Sequence, residues 1–229
     1  MKNTIQVIAF DADDTLWVNE PLFQEAEKKF CSMLEDFLPA HTVSRQLLEI
    51  EIRNMTDYGY GVKAFMLSMI ETAIEISSKT IGVDAIDKII RIGKDLLHKP
   101  IELIEGVEDV LKTLQGKYRL VMATKGDLLD QERKLIKSGL EKYFHHIEIV
   151  SEKDEKEYSK LIKHLDVAPH EFLMIGNSLK SDIMPVLALG AYGFHVPYHS
   201  TWAYEKIDTK IEHPHFKQLE RITEVLDYL

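Results

Sequence analysis

The sequence contains a single cysteine, Cys31, among its 229 residues. One cysteine cannot form an intrachain disulfide, and sparse use of cysteine is typical of a reducing compartment. Basic residues are also few, since 28 lysines and arginines stand against 38 aspartates and glutamates and give a net charge of −10. This deficit disfavours non-specific binding to nucleic acid or to an anionic membrane surface. We therefore expect neither partner for this chain.

Long apolar runs are missing as well. No stretch approaches the roughly 20 residues of a membrane-spanning helix, and Asp11, Asp13 and Asp14 interrupt the N-terminal apolar segment that a signal peptide would need. The 45% hydrophobic and 29% charged fractions are ordinary for a globular protein. The length allows one large domain with an insertion or two small ones. We expect a cytoplasmic protein.

The pattern of apolar residues predicts two kinds of region. Helical spacing alone continues from residue 18 to 99, whereas the rest of the chain alternates short apolar strands with helices. Such alternation implies βαβ units and a parallel sheet. We predict an α/β core from residues 1–17 and 100–229, with residues 18–99 as an inserted all-helical domain. The predicted strands are residues 5–9, 119–124, 146–150, 172–176 and 192–196, and a single helix is predicted over residues 182–189.

The most informative local signal is the acidic segment after the first predicted strand. Asp11 and Asp13 stand two positions apart, so a turn can direct both carboxylates at one point. Open parallel sheets bind ligands at the carboxyl ends of their strands, and buried carboxylates are costly without a cation or a reaction to serve. One carboxylate can attack phosphorus and form an aspartyl-phosphate. The other can protonate the leaving alkoxide and then deprotonate the attacking water.

Two further strand ends supply groups suited to phosphate. Thr124 and Lys125 end the second predicted strand before Gly126, where a hydroxyl and backbone N–H groups near a helix N-terminus form an anion cradle. After the third strand, Lys153 supplies a cation that would offset charge on a phosphoryl group, with Lys156 as the competing choice. We predict that Thr124, Lys125 and Lys153 bind phosphate.

The fourth strand end offers oxygen ligands for a cation. Residues 176–182 place Asn177 and Asp182 after the fourth predicted strand. Mg²⁺ prefers an octahedral shell of oxygen atoms with few protein ligands. We predict that Asp11, the backbone carbonyl of Asp13 and a side chain of this segment hold Mg²⁺.

Together, the four segments resemble the haloacid dehalogenase (HAD) superfamily of phosphohydrolases. The resemblance rests on Asp-x-Asp-x-Thr, a strand-ending Thr, a Lys and Gly-x-Ser-x-x-x-Asp in that order, and it covers nearly the whole chain. It implies a three-layer Rossmann-like core, with residues 18–99 as a helical cap of the first type. It also implies that Asp11 is the nucleophile, Asp13 the acid/base, and Thr124 and Lys153 the phosphate binders.

Two positions depart from the family pattern. Asp14 replaces the usual glycine after the second aspartate, and aspartate tolerates a left-handed backbone better than most residues. We expect Asp14 to face solvent or to cap the turn. Asn177 replaces the usual aspartate of the fourth segment and lacks its charge, so we expect Asp182 to take a larger share of the metal, directly or through water.

The predicted function is Mg²⁺-dependent hydrolysis of a small phosphorylated metabolite through an aspartyl-phosphate intermediate. A phosphotransferase or mutase would use the same chemistry, and a non-catalytic phosphate-sensing scaffold is the alternative from another class. Asp13 disfavours dehalogenase activity, because dehalogenases of the superfamily lack this aspartate. We expect five residues to contact the substrate. Three follow the predicted nucleophile, and two lie in a loop between two predicted helices: Trp17, Asn19, Glu20, Tyr58 and Tyr60. The loop with the two tyrosines would equally fit a plain interhelical turn.

Overall fold

The structure, a computed structural model, describes residues 4–229. The chain divides into two compact units. The first, called the sheet unit, contains the segment up to Asn19 together with Ile101–Lys125 and Gln131–Leu229. The second, called the helical unit, contains Glu20–Pro100 and the short segment Gly126–Asp130.

The sheet unit is built on six strands that are all parallel to their neighbours, in the order β3-β2-β1-β4-β5-β6 within the described residues. The first strand therefore lies near the middle of the sheet, between strands that follow it by more than a hundred residues. The strands are β1 (Val7–Phe10), β2 (Arg119–Lys125), β3 (His146–Val150), β4 (Phe172–Gly176), β5 (Tyr192–His195) and β6 (Phe216–Gln218).

Eight α-helices lie within the described residues 4–229. Four of them form the helical unit and four belong wholly or largely to the sheet unit. They are α1 (Glu20–Met33), α2 (Ala40–Tyr58), α3 (Val62–Ile76), α4 (Val83–His98), α5 (Val107–Leu114), α6 (Leu128–Ser138), α7 (Glu155–His164) and α8 (Met184–Ala188).

Both faces of the sheet are covered. Along β1, Ile8 and Phe10 pack in one apolar cluster with residues of α5 and α6, whereas Val7 and Ala9 pack in a second cluster with residues of α7 and α8. Burial on both faces explains why β1 is apolar at every position rather than alternating. The predicted α/β fold, a three-layer Rossmann-like core with a parallel sheet, is confirmed.

The helical unit has its own apolar core. Phe30, Leu47, Met69 and Ile89 come from α1, α2, α3 and α4 in turn, and all are nearly or fully buried. A helix that packs against a core buries one stripe of its surface, so its apolar residues recur at helical spacing in the sequence. Among the described residues, no helix has both the length and the apolar character that crossing a bilayer requires.

Two elements differ from the sequence-based prediction. Strand β6 was not predicted, because two of its three residues are partly buried, the third is exposed, and they form no apolar run. A single helix was expected over residues 182–189, but a short π-helix at Leu179–Ile183 precedes α8. Ser178 caps the N-terminus of the π-helix, because its side chain accepts a hydrogen bond from the backbone N–H of Ser181.

Candidate active site

The site begins where β1 ends between β2 and β4. Phe10 pairs with Met122 of β2 and with Ile175 of β4, and the backbone N–H of Asp11 donates to the carbonyl of Ile175 at 2.9 Å. The next side chain, Asp11, is therefore fixed at the carboxyl edge of the sheet, where parallel sheets place their ligands. It is 7% exposed.

Lys153 links two carboxylates at this edge. Its Nζ donates to Asp11 Oδ1 at 2.5 Å and to Asp182 Oδ1 at 2.7 Å, and all three side chains are at most 10% exposed. Lys156, the competing lysine, is exposed on α7. Lys153 is thus the lysine that meets Asp11.

The protonation states of Asp11 and Lys153 depend on each other. Burial raises the pKa of Asp11 to about 7, against the opposing effect of the Lys153 ammonium. Burial also disfavours the charged form of Lys153, but Asp11 and Asp182 hold the pKa of this lysine well above its usual value. A second positive charge near Asp11 would therefore favour its ionised, nucleophilic form.

Thr15 brings the side-chain oxygens of Asp11 and Asn177 together. Its Oγ1 lies 3.1 Å from Asp11 Oδ2 and 3.3 Å from Asn177 Oδ1. Asn177 is held from its other side, because His195 Nε2 donates to its backbone carbonyl at 3.0 Å. Burial lowers the pKa of His195, which favours the neutral ring. Asn177 Oδ1 and Asp11 Oδ2 therefore share the Thr15 hydroxyl.

Asp182 is fully buried and is engaged at both oxygens. Oδ1 accepts from Lys153, and Oδ2 accepts from the backbone N–H of Ser178 at 2.9 Å. A side chain at position 176 would overlap the Asp182 carboxylate, so Gly176 is required for this approach. The carboxylate thus fixes Lys153 and the start of the fourth loop.

Asp13 lies in a separate hydrogen-bond network. Trp17 Nε1 donates to its Oδ1 at 2.7 Å and Gln131 Nε2 donates to its Oδ2 at 2.9 Å. Lys134 Nζ lies 2.8 Å and 3.0 Å from the two carboxylate oxygens. These donors fix the orientation of the carboxylate with respect to the turn that carries it.

The turn between the two aspartates and α1 depends on Asp14. This residue has φ 60°, in the left-handed region where a glycine was expected from the family pattern. Its Oδ1 accepts from the backbone N–H of Asn19 at 2.8 Å, and the residue is 7% exposed. Of the two alternatives expected for Asp14, facing solvent or capping the turn, the structure shows the second.

The second strand end holds Thr124 and Lys125. Thr124 is 1% exposed at the end of β2. The ammonium of Lys125 donates to Glu205 Oε1 at 2.5 Å and to Ser181 Oγ at 3.0 Å. Lys125 is thus tied to the fourth loop by its side chain.

The residues expected to contact substrate fall in both units. In the sheet unit, Trp17 is fully buried against Asp13, and Asn19 Oδ1 accepts from Lys134 at 3.0 Å. The helical unit contains the other three. Glu20 is the first residue of α1, Tyr58 is the last residue of α2, and Tyr60 lies in the loop before α3. The Tyr58 hydroxyl donates to Glu71 Oε1 at 2.7 Å.

Three site residues were not found from the sequence: Gln131, Lys134 and Glu205. Gln131 and Lys134 stand three positions apart on α6, a spacing that puts them on one helix face. Polar residues at such spacing are common on solvated helices, so the spacing carried no specific signal. Glu205 lies in a segment without periodic pattern.

The comparison with protein families gives the class of this chain. The haloacid dehalogenase-like hydrolase family matches residues 5–190. The match covers most of the chain, and the chain therefore belongs to the haloacid dehalogenase-like hydrolase family. The family resemblance inferred from the four segments is confirmed, and with it the prediction of a hydrolytic enzyme. Hydrolases of this family generally use Mg²⁺.

Individual relatives agree with this assignment. The chain is 25% identical over 194 residues to a glyceraldehyde 3-phosphate phosphatase from Methanopyrus kandleri, with 78% of each chain covered. A haloacid dehalogenase-like family hydrolase from Xanthomonas campestris superposes with a TM-score of 0.87 at 39% identity, over 96% of this chain and 88% of that one. The magnesium-bound YfnB from Bacillus subtilis has the same fold, with a TM-score of 0.66, 19% identity and 98% of each chain covered.

Proposed function

We propose that the chain is a Mg²⁺-dependent phosphohydrolase that cleaves a small phosphorylated metabolite through an aspartyl-phosphate intermediate. The observation that carries the proposal is the buried contact of Asp11 with Lys153 at the end of β1, in a chain whose relatives are named as phosphatases. An isolated buried carboxylate would lose its charge, whereas one paired with a lysine and placed at a ligand-binding edge is suited to attack.

The first step would be in-line attack of Asp11 on phosphorus. A bond forms between an Asp11 oxygen and phosphorus while the bond to the alcohol oxygen of the substrate breaks. The Lys153 ammonium is placed to offset charge on Asp11 and on the phosphoryl oxygens. Thr124 and the backbone N–H groups after β2 would hold the other phosphoryl oxygens, with Lys125 beside them.

Asp13 would act as the proton carrier of both half-reactions. It would protonate the leaving alcohol oxygen and then take a proton from the water that attacks the aspartyl-phosphate. As the water oxygen bonds to phosphorus, the bond from phosphorus to the Asp11 oxygen breaks, which frees Asp11 and releases inorganic phosphate. Its contacts with Trp17 and Lys134 support this role, because a carboxylate that transfers protons must be held in a defined direction.

The residues present fit a magnesium ion. The oxygen atoms of Asp11 and Asn177 converge on the Thr15 hydroxyl, and Mg²⁺ is usually held by one or two carboxylates with several waters. Among the described residues, no three carboxylate, histidine or cysteine side chains are grouped to hold a metal by themselves. Asp11, Asn177 and the backbone carbonyl of Asp13 would therefore be the direct ligands. Asp182 would act through water or by fixing Lys153, and the ion would supply charge neutralisation.

The helical unit is proposed to act as the cap of the enzyme, which selects the substrate. In this role it would exclude bulk water from the reaction. Trp17, Asn19, Glu20, Tyr58 and Tyr60 are the proposed substrate contacts. Because the relatives are named glyceraldehyde 3-phosphate phosphatase, three-carbon phosphates are the first compounds to assay.

A cytoplasmic location is part of the proposal. Cys31 is buried in the helical unit, and burial, followed by the nearby Glu27, raises the pKa of its thiol to about 11. Such a thiol is a structural residue with low reactivity. A chain that uses a lone buried thiol in this way suits a reducing compartment.

The experiment that tests the function measures release of inorganic phosphate from an aryl phosphate and from a panel of phosphorylated metabolites, with Mg²⁺ and with EDTA. We expect turnover with Mg²⁺, none with EDTA and none in Asp11→Asn. Loss of ester without free phosphate would indicate a phosphotransferase or mutase. Phosphate binding without any turnover would indicate the non-catalytic alternative.

A further inference from the structure

Glu205 reaches the active site from the C-terminal part of the chain. It ends a short 3-10 turn, Ala203–Glu205, which follows β5 and belongs to the sheet unit. Its carboxylate lies between the second and the fourth strand-end loops. Neither the sequence motifs nor the proposed mechanism gives this residue a role.

The two carboxylate oxygens of Glu205 accept hydrogen bonds from side chains of both loops. Oε1 accepts from Lys125 Nζ at 2.5 Å, next to the phosphate-binding Thr124. Oε2 accepts from Ser178 Oγ at 2.5 Å and from Ser181 Oγ at 2.7 Å. Lys125 Nζ also donates to Ser181 Oγ at 3.0 Å, which closes a ring of hydrogen bonds.

The Glu205–Lys125 pair is buried, with side-chain exposures of 10% and 15%. Burial raises the pKa of Glu205, but Lys125 and the two serine hydroxyls outweigh this effect and leave the pKa below its usual value. A buried ion pair does not by itself stabilise a fold by much, whereas removing one partner leaves an uncompensated charge. We therefore expect the Glu205–Lys125 pair to hold neighbouring residues of the site in position rather than to stabilise the fold.

The turn that carries Glu205 is itself fixed to the fourth loop. Lys180 Nζ donates to the backbone carbonyl of Tyr204 at 3.1 Å and lies 3.4 Å from the centre of its ring. The rings of Trp202 and Tyr204 are 5.1 Å apart. These contacts hold the carboxylate of Glu205 in place before any ligand arrives.

The hydroxyls that Glu205 orients belong to the loop that holds Asp182. Ser178 Oγ accepts from the backbone N–H of Ser181, and the backbone N–H of Ser178 donates to Asp182 Oδ2. Asp182 in turn accepts from Lys153, which contacts Asp11. A chain of direct hydrogen bonds therefore runs from Glu205 to the nucleophile.

We propose that Glu205 is a positioning residue that joins the phosphate-binding loop after β2 to the metal-binding loop after β4, by holding Lys125 on one oxygen and Ser178 and Ser181 on the other. It acts through these residues and does not touch the reacting atoms. The proposal rests on the proposed function, in which the loop from Asn177 to Asp182 holds Mg²⁺. Partners that orient metal ligands commonly contribute about 10- to 100-fold to metal affinity or activity.

The test is the Mg²⁺ affinity of the purified chain, measured by titration calorimetry, beside kcat and KM for an aryl phosphate. Glu205→Gln keeps the side-chain size but loses the charge. We expect it to weaken Mg²⁺ binding by about 10- to 100-fold and to lower kcat, with a smaller change in KM. The matched control is Glu212→Gln, which changes a carboxylate of the same C-terminal segment that pairs with exposed Lys210, and it should match the wild type.

A second variant covers the case in which Glu205→Gln does not fold. Ser181→Ala removes one donor to Glu205 and the acceptor of Lys125, and we expect the same direction of change. Folding of each variant is checked by thermal unfolding. Wild-type Mg²⁺ affinity in a folded Glu205→Gln or Ser181→Ala variant would overturn the proposal. The calorimetric result stands apart from turnover, so a wild-type chain that binds Mg²⁺ but hydrolyses no ester would overturn the proposed function alone.

Discussion

Lys134 Nζ lies 2.8 Å from Asp13 Oδ1, and the two side chains are 13% and 24% exposed. The lysine comes from α6 and the aspartate from the turn after β1, so the contact joins two parts of the sheet unit that are distant in sequence. It gives the proposed proton carrier a fixed direction. The contact also explains why the turn that follows β1 packs against α6.

Replacing Lys134 with methionine tests this contact. We expect kcat to fall by up to about 10²-fold for an alkyl phosphate, because misplacement of a catalytic group can cost that much. The loss should be smaller for an aryl phosphate, since its leaving group needs less help from an acid. The comparison of the two substrates is the measurement. Lys137→Met, an exposed change on the same helix, serves as the control, and an equal loss for both substrates would contradict the prediction.

Lys153→Met should damage both stability and activity. The ammonium separates the carboxylates of Asp11 and Asp182, and removing it leaves two buried acids without their cation. We expect the free energy of unfolding to fall by about 3 to 5 kcal/mol, measured by urea denaturation, and turnover to be lost. Lys156→Met on the exposed face of α7 is the matched control. A Lys153→Met variant as stable as this control would show that the contacts of Lys153 with Asp11 and Asp182 do not contribute this much to the free energy of unfolding.

Gly176→Ala should displace Asp182. An added Cβ would overlap the carboxylate of Asp182, and forcing an extra group into a packed site costs about 1 to 3 kcal/mol. We expect this loss of stability together with weaker Mg²⁺ binding, measured by calorimetry. Gly82→Ala is the control, because nothing lies within 4 Å of its added Cβ. If Gly176→Ala bound Mg²⁺ as tightly as the wild type, the prediction would be contradicted.

Glu51 makes the stability of the helical unit depend on pH. Burial, followed by the nearby Glu27 and Glu20, raises the pKa of Glu51 from 4.5 to about 8. The folded state therefore binds this proton more tightly than the unfolded state. The stabilisation is fully present below pH 4.5 and is lost as the pH rises toward 8.

The variant Glu51→Gln stays neutral at every pH. We expect it to be more stable than the wild type above pH 8, with a difference that shrinks as the pH falls to 4.5. Denaturant midpoints at the two ends of this range provide the measurement. Glu49→Gln, an exposed change on the same helix, should show no such trend. A pH-independent difference for Glu51→Gln would contradict the expected linkage.

The sequence predicted the sheet and the positions of the strand-end residues for a physical reason. The central strands of a parallel sheet are buried on both faces, so Val7–Phe10 and Phe172–Gly176 are continuous apolar runs that can be recognised directly. Their carboxyl ends must meet at one edge, which brings Asp11 toward Asn177. The tight turn at Asp14 was also predicted, since aspartate tolerates the observed φ of 60°.

The supporting residues could not be predicted in the same way. Lys134 and Glu205 make contacts that depend on how α6 and a C-terminal turn are placed within the sheet unit. Local pattern does not contain that information, because a charged side chain on a helix usually faces solvent. The half-exposed β6 was missed for a related reason, since three residues are too few to show a period.

The central claim is that Asp11 is phosphorylated during turnover. The most direct measurement is acid quenching of the enzyme during steady-state hydrolysis with Mg²⁺, followed by peptide mass mapping of the segment that contains Asp11. We predict a peptide heavier by one phosphoryl group in the wild type and in Asp13→Asn, and an unmodified peptide in Asp11→Asn, which should also be inactive. A phosphoryl group on another residue, or wild-type turnover by Asp11→Asn, would contradict the account.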